Sequence, residues 1–174
     1  MRIESTEFTM NEVDSFIDEM QGHDRDFLAD RLERASARLA QLAPSIKLER
    51  IDGQEWSTHE ILAHIAVLSK FYGVLVHKIS SGQMTELNLL ENVNLRDVAG
   101  NQLSELDPAE LLRMALADQA RTLKLLRTVE PSALRRQATL ENGERMSAEQ
   151  VARLPLVNHL EMHVDQLERA VSAG

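Results

Sequence analysis

Trp56-Ser57-Thr58-His59-Glu60-Ile61-Leu62-Ala63-His64 sets a serine three residues before a glutamate, a pairing in which each side chain takes a backbone N–H at a helix start. Trp56 and Ile61 flank that cap at the positions of a hydrophobic staple, so a long helix is expected to begin here. It continues to about Ile79 and is apolar on most sides, which marks it as the most buried element of the fold. At about 100° per residue, Ser57, Ile61, Leu68, Phe71 and Leu75 fall on the same face as His64. His59 and His77 project to the opposite side, so His64 is the one histidine of this helix expected to face inward.

The same kind of start signal recurs along the chain. Asp107-Pro108-Ala109-Glu110 combines an N-cap, a proline at the first helical position and an early acid, opening a helix to about Val129 with Pro131 beyond it. Ser147-Ala148-Glu149-Gln150 opens the last helix near Ala148; it runs to about Val171, with Pro155 expected to kink or restart it. Upstream, Thr9-Met10-Asn11-Glu12 reads as the cap of a short helix carrying Val13, Phe16, Ile17 and Met20 and broken near Gly22. A long helix then runs from Asp24 to Leu42 on a stripe of Phe27, Leu28, Leu32, Ala35 and Leu39, with Pro44 past its end.

Residues 44–56 read as a loop, and a helix is expected around Leu87 to Val98 with an interruption at Gly100. Between Arg136 and Met146 the Asn142-Gly143 pair favours a tight hairpin turn. The whole is an all-α chain: an up-and-down four-helix bundle with additional short helices and a short hairpin-like excursion. Its organisation is an N-terminal extension over 1–22 and a bundle domain over 23–174.

Composition agrees with one helical domain, since the chain has 174 residues, 43% hydrophobic content, and only 7 Gly and 4 Pro. A net charge of -9, with basic residues scattered among acids, argues against a nucleic-acid surface. Met1 to Met10 carries Glu4 and Glu7 and does not read as a signal peptide, and no apolar run approaches about 18 residues. A cytoplasmic protein without membrane contact is the expectation. The absence of cysteine excludes thiolate nucleophiles and sulfur-ligated metals, so any metal must sit on nitrogen and oxygen.

The last helix carries the chemistry. In Val157-Asn158-His159-Leu160-Glu161-Met162-His163 the two histidines lie four residues apart, one turn from each other on one face. Leu156, Leu160, Leu167 and Ala170 share that face, while Asn158, Glu161, Asp165 and Glu168 turn toward water. Inward histidines on two helices suit a three-nitrogen metal site with an open position. They suit hydrogen-bonded core residues as well.

Trp56 to His64 resembles the W-S-x-x-E-hydrophobic-hydrophobic-x-H signature of the DinB-like superfamily, and His159 to Leu167, H-x-x-x-H-x-x-Q-L, resembles its last-helix signature. The resemblance spans roughly Asp24 to Val171 and leaves the extension before Gly22 and the Arg136 to Met146 excursion uncovered, either of which can shape a pocket rim or an oligomer contact. It implies a four-helix bundle, His64, His159 and His163 as metal ligands, and relatives that include thiol-dependent enzymes. It also implies a homodimer, to which the apolar surface around Val67, Val74 and Val76 adds a hint.

A divalent ion on three imidazoles would activate water or a low-molecular-weight thiol against a small-molecule substrate, as hydrolase or thiol S-transferase. Zinc or nickel comes first, iron or manganese next. Glu60 and Gln119 are the candidates for a catalytic role, although Glu60 is already explained as a cap. Gln119 shares a face with Leu112, Ala115, Leu116, Leu123 and Leu126, which equally describes a core glutamine. Gln166 lies three residues past His163, near enough to support that ring. Trp56 reads as a staple. The competing reading is a non-catalytic bundle that binds a small molecule, with a structural metal or none. A di-iron carboxylate bundle needs inward Glu-x-x-His pairs, and neither histidine helix supplies one.

Overall fold

Helix starts follow the capping chemistry in the computed structural model, which describes residues 10–46, 56–88, 91, 94 and 100–172. Helix α2 (Thr58–Ser80) begins on Ser57, whose Oγ accepts the Glu60 N–H at 3.1 Å while Glu60 Oε2 accepts the Ser57 N–H at 2.7 Å. Strand β1 (Glu86–Leu87) follows it. Asp107 caps α3 (Pro108–Thr128) by accepting the Ala109 N–H at 2.8 Å. Ser147 and Gln150 form a second reciprocal box at the start of α4 (Ala148–Val151).

From α4 the chain passes through a π-helical segment, Ala152–Asn158, into α5 (His159–Ser172). Pro155 lies inside the π segment. It has no N–H to give and its ring crowds the preceding turn, and a widened helical turn absorbs both without ending the helix.

The first helix departs from expectation. Helix α1 (Met10–Leu42) is continuous, and Gly22 does not break it. One interior glycine costs about 1 kcal/mol relative to alanine, too little to interrupt a helix held along its length by packing. Among the described residues a Cβ at Gly22 would touch only Pro131 Cγ at 3.8 Å, and Arg25 donates to the Val129 carbonyl at 2.8 Å, so this part of α1 lies against the end of α3. The proposed cap at Thr9 and the contacts of Val13 and Phe16 lie outside the described residues. In the stripe, Leu28, Leu32, Ala35 and Leu39 are buried. Phe27 is not: it is 52% exposed with the Arg31 guanidinium 5.7 Å over its ring.

The Arg136–Met146 excursion is a hairpin of β2 (Gln137–Leu140) and β3 (Arg145–Ser147), paired antiparallel with Ala138 opposite Met146. Leu140 and Glu144 close a three-residue loop in which Gly143 takes φ 83°, the left-handed position such loops reserve for glycine. Strand β1 adds in parallel, with Leu87 opposite Leu140. The helix expected to start at Leu87 therefore does not begin there. Glu91 and Asn94 are helical, as is Gly100 together with 101–103; most of 89–99 lies outside the described residues, and the expected interruption before Gly100 lies there with it.

The expected four-helix bundle is present, with helix directions decided by contacts between elements. Helix α3 runs antiparallel to α1, since Arg127 pairs with Asp30 and Glu33 while Gln119 bonds Ser36. It runs parallel to α2, with Ser69 beside Gln119 and Gly73 against Thr122. Parallel neighbours need a long crossover, and residues 81–107 supply it. The directions are thus up, down, down, up and do not simply alternate.

Helices α1 and α5 are parallel and clasped at a seven-residue interval. Arg31 donates to Glu161 Oε1 at 2.9 Å and Asn158 Oδ1 at 2.6 Å; Arg38 donates to Glu168 Oε1 at 2.8 Å and also pairs with Asp165. The polar face stays at the surface as expected, with Asn158 and Asp165 exposed and Glu161 and Glu168 half-buried, and it is held there by arginines of α1. Arg38 holds the Glu168 carboxyl below the usual range, chiefly through that hydrogen bond. Helix α2 is long and apolar enough to cross a membrane, but 72% of its most apolar window is buried inside the bundle, as a core helix requires.

Candidate metal centre

The cap at Ser57 places His64 one turn past Glu60 on the inner side of α2. The π segment ends where His159 begins α5, so the widened turn around Pro155 sets the face that His159 and His163 present. The three rings converge. One ligand nitrogen from each lies within 4.8 Å of the other two. Ring centroids are 4.6 Å apart for His64 and His163, 5.4 Å for His64 and His159, and 4.7 Å for His159 and His163.

His163 is the most enclosed, at 5% exposure; His64 and His159 are half-buried. Its Nδ1 lies 2.9 Å from Gln166 Oε1. A carboxamide oxygen only accepts, so Nδ1 carries the hydrogen and Nε2 keeps a lone pair. That Nε2 is buried and, among the described residues, has no hydrogen-bond partner. Burial pushes the His163 pKa below the ordinary 6.5, partly countered by the bond to Gln166, which keeps the ring neutral near pH 7. A buried neutral nitrogen without a proton donor, next to two more imidazoles, fits a divalent cation.

A cavity of about 510 Å³ opens beside the cluster, lined by Trp56, Glu60, His64, Val67, Asn101 and Ser104 among others. Trp56 lies nearly parallel to His163 at 6.3 Å and edge-on to His64 at 5.1 Å, so the residue read as a staple is also a wall of the site. Its place directly before the cap was the only signal of that position. Nothing local marked Asn101 or Ser104. A comparable hollow of about 550 Å³ between Asp24, Arg135, Glu149 and Arg153 holds none of the three histidines, and Arg153 there is paired with Glu149 and Asp24.

The other candidates divide. Glu60 caps α2 and also faces the cavity. Gln119 is buried in the bundle, accepting from Ser36 Oγ at 2.7 Å and donating to Ser69 Oγ at 3.0 Å, and it does not line the histidine cavity. It ties α1, α2 and α3 together. His77 is exposed and away from the cluster. His59 also stays outside the cluster but does not face water: it is 7% exposed, with Nε2 2.7 Å from the Leu106 carbonyl. The crossover covers that side of α2, which a helix treated alone leaves open.

Among solved structures, YfiT from Bacillus subtilis, described as a probable metal-dependent hydrolase with an unusual four-helix bundle topology, superposes with a TM-score of 0.65 at 16% identity. The match covers 98% of this chain and 94% of that one. A mycothiol-dependent maleylpyruvate isomerase superposes with a TM-score of 0.65 at 16% identity over 84% of this chain, which spans 62% of the isomerase's length. At such identities the likeness is one of fold. No curated protein sequence matches this one. Residues 24–167 match the DinB superfamily, and the chain belongs to that family.

Proposed function

We propose that the protein is a metal-dependent enzyme of hydrolase or thiol S-transferase type, with His64, His159 and His163 holding one divalent ion. The observation that carries this reading is the buried His163 Nε2, which has no hydrogen-bond partner among the described residues, within a cluster of three ring nitrogens. At nitrogen–metal distances of about 2.0–2.1 Å a tetrahedral site needs nitrogens about 3.4 Å apart, so the widest separation the cluster allows closes by small imidazole rotations. When bound, such an ion keeps its charge, lowers the pKa of a water or thiol and polarises an electrophile.

The chain's own groups do the rest. Trp56 and Val67 wall the cavity with apolar surface, Asn101 and Ser104 offer hydrogen bonds to a substrate, and the Glu60 carboxylate lies where it can accept a proton. With no cysteine in the chain, a sulfur nucleophile has to arrive as a low-molecular-weight thiol. The isomerase's dependence on mycothiol and the hydrolase description of the Bacillus protein support these two reaction types. Zinc or nickel suits the donor set best, with iron or manganese next. A cytoplasmic homodimer acting on a small molecule, without nucleic acid or membrane, completes the proposal; a solution mass of one chain over a wide concentration range would exclude the dimer.

The test begins with elemental analysis of protein purified without a nickel column. Metal-loaded wild type and His64→Ala are then compared on a panel of esters and thiol-conjugation substrates. Metal at one per chain with turnover in wild type alone is expected. A loaded protein with no metal-dependent turnover would leave a structural metal in a non-catalytic bundle.

A further inference from the structure

We infer that Gln166 is a positioning residue: it holds the His163 imidazole in the Nδ1–H tautomer and thereby presents the Nε2 lone pair to the space shared with His64 and His159. Its consequence for metal binding rests on the three-histidine reading above, whereas the tautomer assignment does not.

Gln166 follows His163 by three residues on α5, so its side chain lies along the same helical face and reaches the ring from one side. Its Oε1 stands 2.9 Å from Nδ1 and can only accept, which requires a hydrogen on that nitrogen. The opposite tautomer fails twice. It would set the Nδ1 lone pair against the carboxamide oxygen, and it would bury an Nε2–H that has no hydrogen-bond acceptor among the described residues. A buried unpaired donor of this kind is costly. Both terms therefore favour Nδ1–H.

The arrangement also keeps the ring from turning. His163 lies nearly parallel to Trp56 and against the rings of His64 and His159, and a half-turn of the ring would put carbon atoms where Nδ1 and Nε2 now stand. Only one of the two placements makes the bond to Gln166, so a single side-chain contact selects both tautomer and orientation. Histidine ligands are commonly held this way by an outer acceptor, and loss of that acceptor weakens metal binding about 10–100-fold. A neutral carboxamide does this without adding negative charge beside the ring, as Glu or Asp would.

The experiment uses protein with ring nitrogens labelled with nitrogen-15, studied metal-free by long-range proton–nitrogen correlation NMR above the ordinary histidine pKa. The His163 signals are assigned by their loss in His163→Ala, and zinc affinity is measured in parallel. Wild type is expected to show His163 protonated at Nδ1. In Gln166→Leu the ring should populate the Nε2–H form and zinc affinity should fall about 10–100-fold. Gln166→Glu, which keeps the acceptor, should retain the Nδ1–H form and restore most of the affinity. An Nε2–H ring in metal-free wild type would overturn the inference, and this readout does not depend on how the variants fold. Unchanged tautomer and affinity in a folded Gln166→Leu would overturn it as well. A wild type that shows the Nδ1–H ring yet binds no zinc supports the positioning role of Gln166 and removes the metal reading instead.

Discussion

Zinc should raise the melting temperature of the wild-type protein, and His163→Ala should abolish that rise. A ligand that binds only the folded state at about a hundred times its dissociation constant stabilises it by about 2.7 kcal/mol. For a chain of this size each kcal/mol moves the midpoint by about 2–4 °C, so a rise of about 5–11 °C is expected. The substitution itself acts on metal-free stability in two opposing ways. Emptying the ring from a 5%-exposed position removes packing, a cost of about 1–3 kcal/mol moderated by the cavity next to it. Removing Nε2 also removes a buried nitrogen without a partner, which returns about 1–3 kcal/mol. The metal-free variant should therefore melt within a few degrees of wild type, and the zinc response isolates the site. Far-UV circular dichroism follows the helices. Fluorescence follows the site directly, because Trp56 is the single tryptophan and lies 6.3 Å from the His163 ring. A wild-type midpoint unmoved by saturating zinc, or an equal rise in His163→Ala, would rule out zinc binding at these histidines.

Acid should weaken the metal-free protein in a definite window. The His163 pKa is lowered by burial from 6.5, so the native state binds fewer protons than the unfolded chain between that lowered value and 6.5; the stability is complete above 6.5 and is lost as pH falls through the window. Urea unfolding of wild type and His163→Ala across this range measures it, and the slope should be smaller in the variant. Gly73→Ala should destabilise by about 1–3 kcal/mol because the new Cβ collides with Thr122 Oγ1. Combining it with Thr122→Ala should recover most of the loss, since the next atom stands at 3.8 Å; failure of that rescue in thermal melts counts against the contact. Glu60→Gln keeps an acceptor for the Ser57 N–H, so stability should stay within about 0.5 kcal/mol and metal content should hold. Turnover should fall at least about 10-fold if the carboxylate accepts a proton, whereas full turnover assigns Glu60 to the cap alone.

Much of the architecture was legible because the signals act within one turn of the chain. Ser57, Asp107 and Ser147 satisfy backbone N–H groups two or three residues away, and each helix begins where its cap stands. Asn142-Gly143 acts over a similar distance, since only the glycine relieves the left-handed backbone of the loop. That His159 and His163 share one face follows from helical spacing alone. Gly22 was misleading for the same reason: a local propensity of about 1 kcal/mol is overridden once α1 packs along its length.

Local signals in the chain were thus enough to show where helices start, which residues share a face, and that His64 and the pair on the last helix turn inward. The tertiary structure alone decided which faces meet. It brought the three histidines within reach of one another, set Trp56 against two of them, closed Leu106 over His59 and engaged Gln119 with serines from two other helices. It also chose the parallel pairing of α2 with α3 and of α1 with α5, and joined Leu87 to Leu140 across 53 positions of chain. The physical reason is range: caps, turns and facial periodicity are settled by neighbours a few residues away, whereas helix direction and side-chain convergence depend on contacts between segments far apart in sequence, and these exist only once the bundle has closed.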